Sequence, residues 1–203
     1  MALLVRILAP HLSGAEMEDS GQPVFLPALE DALVEKAAAK RRREFALGRA
    51  CARAALKGLG HGDAVIGKSA NGAPIWPNGI IGSITHTASY AASLVGEARH
   101  FSGIGLDAER VGGVTQDLWP RLFTAQERDH LLSLDDVDQP VVATLIFSAK
   151  EACYKAWGGI GALAFRDIHV TPDRDGFTAV RGRESLQGRH VVAADLMLTA
   201  VWF

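Results

Sequence analysis

Two acidic segments carry the residue types best suited to chemistry: Gly103-Ile104-Gly105-Leu106-Asp107-Ala108-Glu109 and Phe147-Ser148-Ala149-Lys150-Glu151-Ala152-Cys153-Tyr154-Lys155. Side chains of an extended strand alternate, so Ile104, Leu106 and Ala108 share one face while Asp107 and Glu109 project together from the other. Neighbouring carboxylates raise one another's pKa and cost free energy unless a proton, a basic side chain or a hard cation lies between them. Oxygen donors of this kind suit magnesium, with manganese as a substitute.

The second segment has helical periodicity. Val142, Leu145, Ile146, Ala149, Ala152, Cys153 and Ala156 fall on one apolar arc at about 100° per residue. Glu151 and Lys155, four residues apart, lie opposite that arc together with Phe147 and Ser148. Gly158-Gly159 predicts the stop. A Glu–Lys pair at this spacing is commonly a solvated surface pair. Beside Asp107 and Glu109 it supplies a third carboxylate and an ammonium.

The rest of the chain must bring these segments together. At 203 residues, 48% hydrophobic and with a formal charge of −2, it is long enough for a substantial core. The charge balance predicts no nucleic-acid or membrane partner, because either would call for a basic excess or a basic amphipathic helix. No apolar run reaches the length of a membrane span, and the N-terminus lacks the regions of a signal peptide, so a cytoplasmic location is expected. Cys51 and Cys153 sit among alanines at apolar helix positions and read as buried structural thiols. Zinc spacings, a nucleophile elbow and a phosphate loop are all missing from the sequence.

Weak alternation in residues 3–9 predicts a first strand, and the alanine-, leucine- and charge-rich stretch 27–59 predicts one long helix or two consecutive ones. Glycine, proline, asparagine and serine in 67–79 predict turns, followed by short strands at 80–85, 90–95 and 104–108. Thr124 ahead of Glu127 predicts a capped helix start within 117–134, residues 135–139 a turn, and 165–203 a closing antiparallel sheet. Each half then offers a helix and about three strands, with the junction at 97–102.

Lys40-Arg41-Arg42-Arg43 with Arg49 and Arg53 concentrates positive charge on the first helical region. Such a cluster is either a solvated basic face or a set of guanidinium forks for phosphate oxygens. Lys68 lies in the glycine-rich loop. His86 ends Gly82-Ser83-Ile84-Thr85-His86, where its ring is either structural or a donor to phosphate. Leu118, Leu122 and Phe123 read either as core or as an apolar contact for a partner.

In this order, these segments resemble the 4′-phosphopantetheinyl transferases of the monomeric surfactin- and enterobactin-synthetase type. The resemblance runs through Arg41-Arg42-Arg43-Glu44-Phe45, Gly48-Arg49, Trp76-Pro77-Asn78-Gly79, Gly82 to His86, Gly103 to Glu109 and Phe147 to Trp157. Asp-Xaa-Glu alone is common. Its specificity comes from Ser-Ile-Thr-His before it and Phe-Ser-Ala-Lys-Glu-Ala-Xaa-Xaa-Lys-Ala about forty residues after it.

The resemblance implies an α+β fold of two pseudo-symmetric halves, each a small, mainly antiparallel sheet packed with a long helix, with the active site at their interface. Residues 1–101 would form an N-terminal half that binds coenzyme A phosphates, and 102–203 a metal-binding, catalytic C-terminal half. It implies transfer of the phosphopantetheine arm of coenzyme A to a serine of an apo acyl or peptidyl carrier protein, with release of adenosine 3′,5′-bisphosphate. Asp107, Glu109 and Glu151 match metal ligands, Glu151 also matches a general base, and Lys155 matches the pyrophosphate and leaving-group contact. Arg41, Arg49, Lys68 and His86 match coenzyme A phosphate contacts, with Ser83 and Thr85 lining the pocket. The expected partners are carrier domains of fatty acid, polyketide or nonribosomal peptide synthases, served by a monomer. The competing readings are a magnesium-dependent nuclease or pyrophosphate hydrolase, and a non-catalytic carrier-binding module.

Overall fold

Leu3, Leu4 and Ile7 are buried while Val5 and Arg6 face out, which is the spacing of a helical turn. The computed structural model accordingly has a 3-10 turn at Leu4–Arg6 where alternation predicted a strand. The structure describes residues 3–158 and 165–203. The chain divides into two units, Met1–Ile104 and Gly105–Phe203.

In the first unit, strand β1 (Leu12–Glu18) is followed by the short helix α1 (Ala28–Asp31), a 3-10 turn at Ala32–Val34, and helix α2 (Ala39–Lys57). A two-stranded hairpin, β2 (Gly67–Lys68) with β3 (Pro74–Ile75), fills the turn-rich stretch. Strands β4 (Ile80–His86) and β5 (Tyr90–Glu97) follow. The sheet order is β1-β5-β4, antiparallel throughout. Helix α2 lies on this sheet, burying Phe45, Leu47, Cys51, Ala52, Ala55 and Leu56. Gly48 permits the close approach, since a Cβ there would stand 2.8 Å from Cγ2 of Ile84. Fully buried Glu30 pairs with Arg53 and accepts the backbone N–H of Ile66 at 3.0 Å, tying α1 and the chain before β2 to α2.

The second unit contains β6 (Ile104–Arg110), which starts at the unit boundary, then α3 (Trp119–Leu122), α4 (Ala125–Leu132) and α5 (Asp138–Ala156). Strands β7 (His169–Pro172), β8 (Gly176–Arg181), β9 (Glu184–Ala193) and β10 (Leu196–Trp202) complete it. The sheet order is β6-β10-β9-β8-β7, and β7 through β10 form an antiparallel meander. Thr124 caps α4 through a reciprocal capping box with Glu127. Helix α5 packs on β10 and β7, and its apolar arc enters a core with Ile168, Val170, Phe177, Met197 and Val201. Phe123 is fully buried in that core and Leu122 packs against it half-buried. Gly158 takes the left-handed conformation just past the helix (φ 81°), and Gly159 lies outside the described residues. Among the described residues, no helix is long and apolar enough to cross a membrane.

Candidate functional site

Gly105, Asp107 and Glu109 share one face of β6, and that face meets α5. A Cβ on Gly105 would lie 1.8 Å from the carbonyl oxygen of Ala152 and 3.0 Å from the amide nitrogen of Ala156. The missing side chain therefore lets the helix backbone rest directly on the strand. One step along, the buried Asp107 meets the helix side chains. Its Oδ1 accepts from Nζ of Lys155 at 2.6 Å, and its Oδ2 accepts from Oγ of Ser148 at 2.9 Å. Lys155 also donates to the Leu106 carbonyl at 3.1 Å.

Glu109 and Glu151 belong to the same electrostatic neighbourhood. Burial, then the charge of Asp107, pushes the Glu109 carboxyl up to about 7; Lys155 opposes the shift and Glu151 adds to it. Glu151 is likewise raised by burial and by Asp107, again with Lys155 pulling the other way. Three carboxylates thus couple to one ammonium.

This arrangement bears on whether a divalent cation fits. Among the described residues, no three His, Cys, Asp or Glu side chains are gathered closely enough to hold a metal ion by themselves. Magnesium, however, is typically held by one or two carboxylates together with substrate phosphates and water. The donor set here is all hard oxygen, and the Lys155 ammonium against Asp107 is a cation already accepted at the site. The donors fit the ion's chemistry.

In the first unit, strand alternation separates the candidate phosphate-binding residues. His86 lies on the face of β4 that carries Ile84 and meets α2, where Nη1 of Arg41 stands 2.7 Å from its Nε2. A guanidinium only donates, so Nε2 accepts and the ring proton sits on Nδ1, 4.0 Å from Glu44. Ser83 and Thr85 are buried on the opposite face of the strand. Arg49 is 5% exposed, lies over the Phe45 ring at 4.5 Å and donates from Nη2 to the Gly67 carbonyl at 2.9 Å. Burial lowers its guanidinium to about 10, and its Nε has no hydrogen-bond partner among the described residues. Lys68 is exposed on the β2–β3 hairpin, paired in register with Pro74. Arg41 and His86 are therefore brought together, Arg49 braces the base of the hairpin, and Lys68 stands on its surface.

Two residues have buried roles that their places in the sequence do not announce. Lys150, next to Glu151, is fully buried and donates to Glu127 at 2.6 Å and to the carbonyls of Leu122 and Phe165, each at 2.9 Å. Glu127 also accepts the Val170 amide at 2.7 Å, so the α4 cap, α5 and β7 meet at one ion pair. The signal was a lysine between Ile146 and Cys153 on the apolar stripe. The second is Ser148, which is fully buried and reaches both Asp107 and Thr199.

Comparison with known proteins follows the same division of the chain. Residues 29–96 match the model of the 4′-phosphopantetheinyl transferase N-terminal domain, and residues 103–199 match that of the 4′-phosphopantetheinyl transferase superfamily. A 4′-phosphopantetheinyl transferase of Nocardia iowensis is 32% identical over 98% of this chain and 99% of its own length. One from Mycobacterium tuberculosis is 34% identical over 90% of this chain and 88% of its own. Another, from Streptomyces mobaraensis, is 35% identical over 88% of this chain and 79% of its own. With both units matched, and relatives aligned along nearly the whole sequence, the chain belongs to the 4′-phosphopantetheinyl transferase superfamily.

Proposed function

We propose that this enzyme moves the phosphopantetheine arm of coenzyme A onto the serine hydroxyl of an apo acyl or peptidyl carrier domain. Adenosine 3′,5′-bisphosphate is the second product. The carriers belong to fatty acid, polyketide or nonribosomal peptide assembly, and the enzyme works as a cytoplasmic monomer. The observation that carries the reading is the coupling of Asp107, Glu109 and Glu151 to the Lys155 ammonium, within the residues that match the superfamily.

In the reaction, the carrier serine oxygen bonds to the phosphorus bearing pantetheine, and the bond from that phosphorus to the bridging pyrophosphate oxygen breaks. Glu151 takes the serine proton, a task suited to a carboxylate whose pKa is raised by burial. Lys155 turns from Asp107 to the pyrophosphate and neutralises charge as it builds on the leaving oxygen. Arg41 and His86, adjacent on α2 and β4, hold a coenzyme A phosphate; Lys68 on the hairpin, Arg49 at its base, and Ser83 and Thr85 on the other face of β4 are further contacts of the same substrate. Asp107, Glu109 and Glu151 would hold magnesium, which supplies charge neutralisation of the diphosphate.

Mass spectrometry of an apo carrier domain incubated with the enzyme, coenzyme A and magnesium is expected to show a gain of about 340 Da, the mass of the arm. Breakdown of coenzyme A or nucleic acid with an unmodified carrier would instead identify a hydrolase or nuclease. Binding of the carrier without turnover would identify a non-catalytic module.

A further inference from the structure

We propose that Thr199 and Ser148 form a fixed hydroxyl relay that orients the Asp107 carboxylate for cation binding, making both of them positioning residues. The proposal rests on the function assigned above. Ser148 lies midway along α5 and Thr199 on β10, and both are fully buried. Their oxygens are 2.8 Å apart, and Oγ of Ser148 is 2.9 Å from Oδ2 of Asp107 on β6.

The direction of the relay follows from proton counting. With Lys155 on its other oxygen, Asp107 is a carboxylate and only accepts, so Ser148 spends its single proton on Oδ2. The Thr199 hydroxyl must then donate to Ser148. Asp107 is thereby gripped through Oδ2 from beneath, and Oδ1 is directed toward Lys155.

Two buried hydroxyls are costly in a protein interior unless each has a partner. A helical serine ordinarily bonds back to a carbonyl one turn earlier. Here Ser148 and Thr199 serve each other and Asp107. Side chains that orient a metal-binding carboxylate commonly change metal affinity or activity by about 10- to 100-fold when removed. A purely structural hydroxyl pair would change thermal stability alone.

The test measures Mn2+ binding by electron paramagnetic resonance, with and without coenzyme A, alongside thermal melts and holo-carrier formation. Ser148→Ala and Thr199→Val are expected to weaken Mn2+ binding by about 10- to 100-fold. Thr199→Ser, which keeps the hydroxyl, should bind as wild type does. The double variant Ser148→Ala/Thr199→Val leaves neither hydroxyl stranded, so it keeps the test valid if a single variant fails to fold. Equal Mn2+ affinity in wild type, Thr199→Val and the double variant would overturn the relay while leaving the transferase reading intact. A wild type that neither binds Mn2+ nor modifies the carrier would overturn that reading, and the relay with it.

Discussion

Nζ of Lys155 stands 2.6 Å from Oδ1 of Asp107, the carboxylate oxygen opposite the one that accepts from Ser148. One buried carboxylate thus has an ammonium on one side and a hydroxyl on the other. Glu109 and Glu151 feel the same ammonium, so Lys155 balances the acidic cluster.

Replacing this balance should be costly for catalysis. Lys155→Met is expected to lower the rate of holo-carrier formation by about 10²- to 10³-fold, the usual effect of deleting one group that stabilises developing negative charge. It should also make magnesium raise the melting temperature more than in wild type, because the Lys155 charge no longer balances the carboxylates. Initial rates by mass spectrometry and paired melts with and without magnesium check both outcomes.

The acidic cluster gives stability a pH dependence of definite sign. Folded, Glu109 keeps its proton up to about pH 7; unfolded, it releases it near the ordinary value of 4.5. Between those values the folded state binds more protons, so the free energy of unfolding falls as pH rises through the window and stays low above it. Glu151 shifts in the same direction. Urea denaturation of cation-free protein should show this decline, and Glu109→Gln should flatten it. Saturating magnesium should offset the loss on the alkaline side, since it binds the deprotonated carboxylates.

At Gly105 a single methyl group should act on both stability and activity. Its Cβ would fall 1.8 Å from a helix carbonyl that has no flexible side chain to move aside. Gly105→Ala is expected to cost about 1–3 kcal/mol through overpacking. It should also part Asp107 from Ser148 and Lys155, so that activity falls further than stability alone explains. Chemical denaturation and holo-carrier assays on the same preparation separate the two effects.

Lys150 makes the opposite prediction, a change dominated by stability. Lys150→Met strands Glu127 inside the core, and removal of one partner from a buried pair typically costs about 3–5 kcal/mol. Denaturant titration should show that loss.

Much of this was written in local patterns. Period two on β6 put Asp107 and Glu109 on one face, the apolar arc of α5 named its buried side, and Thr124 with Glu127 marked the start of α4. What escaped had no periodic signature. Residues 3–9 are apolar at every position but Arg6, so neither the strand nor the helical period stands out, and burial of Leu3, Leu4 and Ile7 decided for the turn. Strand β1, with Glu16 and Glu18 in a Leu-Ser-Gly-Ala-Glu-Met-Glu run, looks like a loop by composition and forms through pairing with β5. A buried lysine is indistinguishable from a surface one until its acceptors are known, and those of Lys150 come from three separate stretches of chain. Arg49 poses the same difficulty. Its place in a basic run suggested exposure, whereas its carbonyl partner and aromatic neighbour lie inside.

The two sulfhydryls have a practical consequence. Cys51 lies on the buried face of α2 in the first unit and Cys153 on α5 in the second, each with burial pushing its thiol up to about 12. Neither is reactive while its surroundings hold, because the thiolate is the nucleophile. An alkylating reagent followed by peptide mapping therefore reads out how often each unit opens, one built-in reporter apiece, without adding a label.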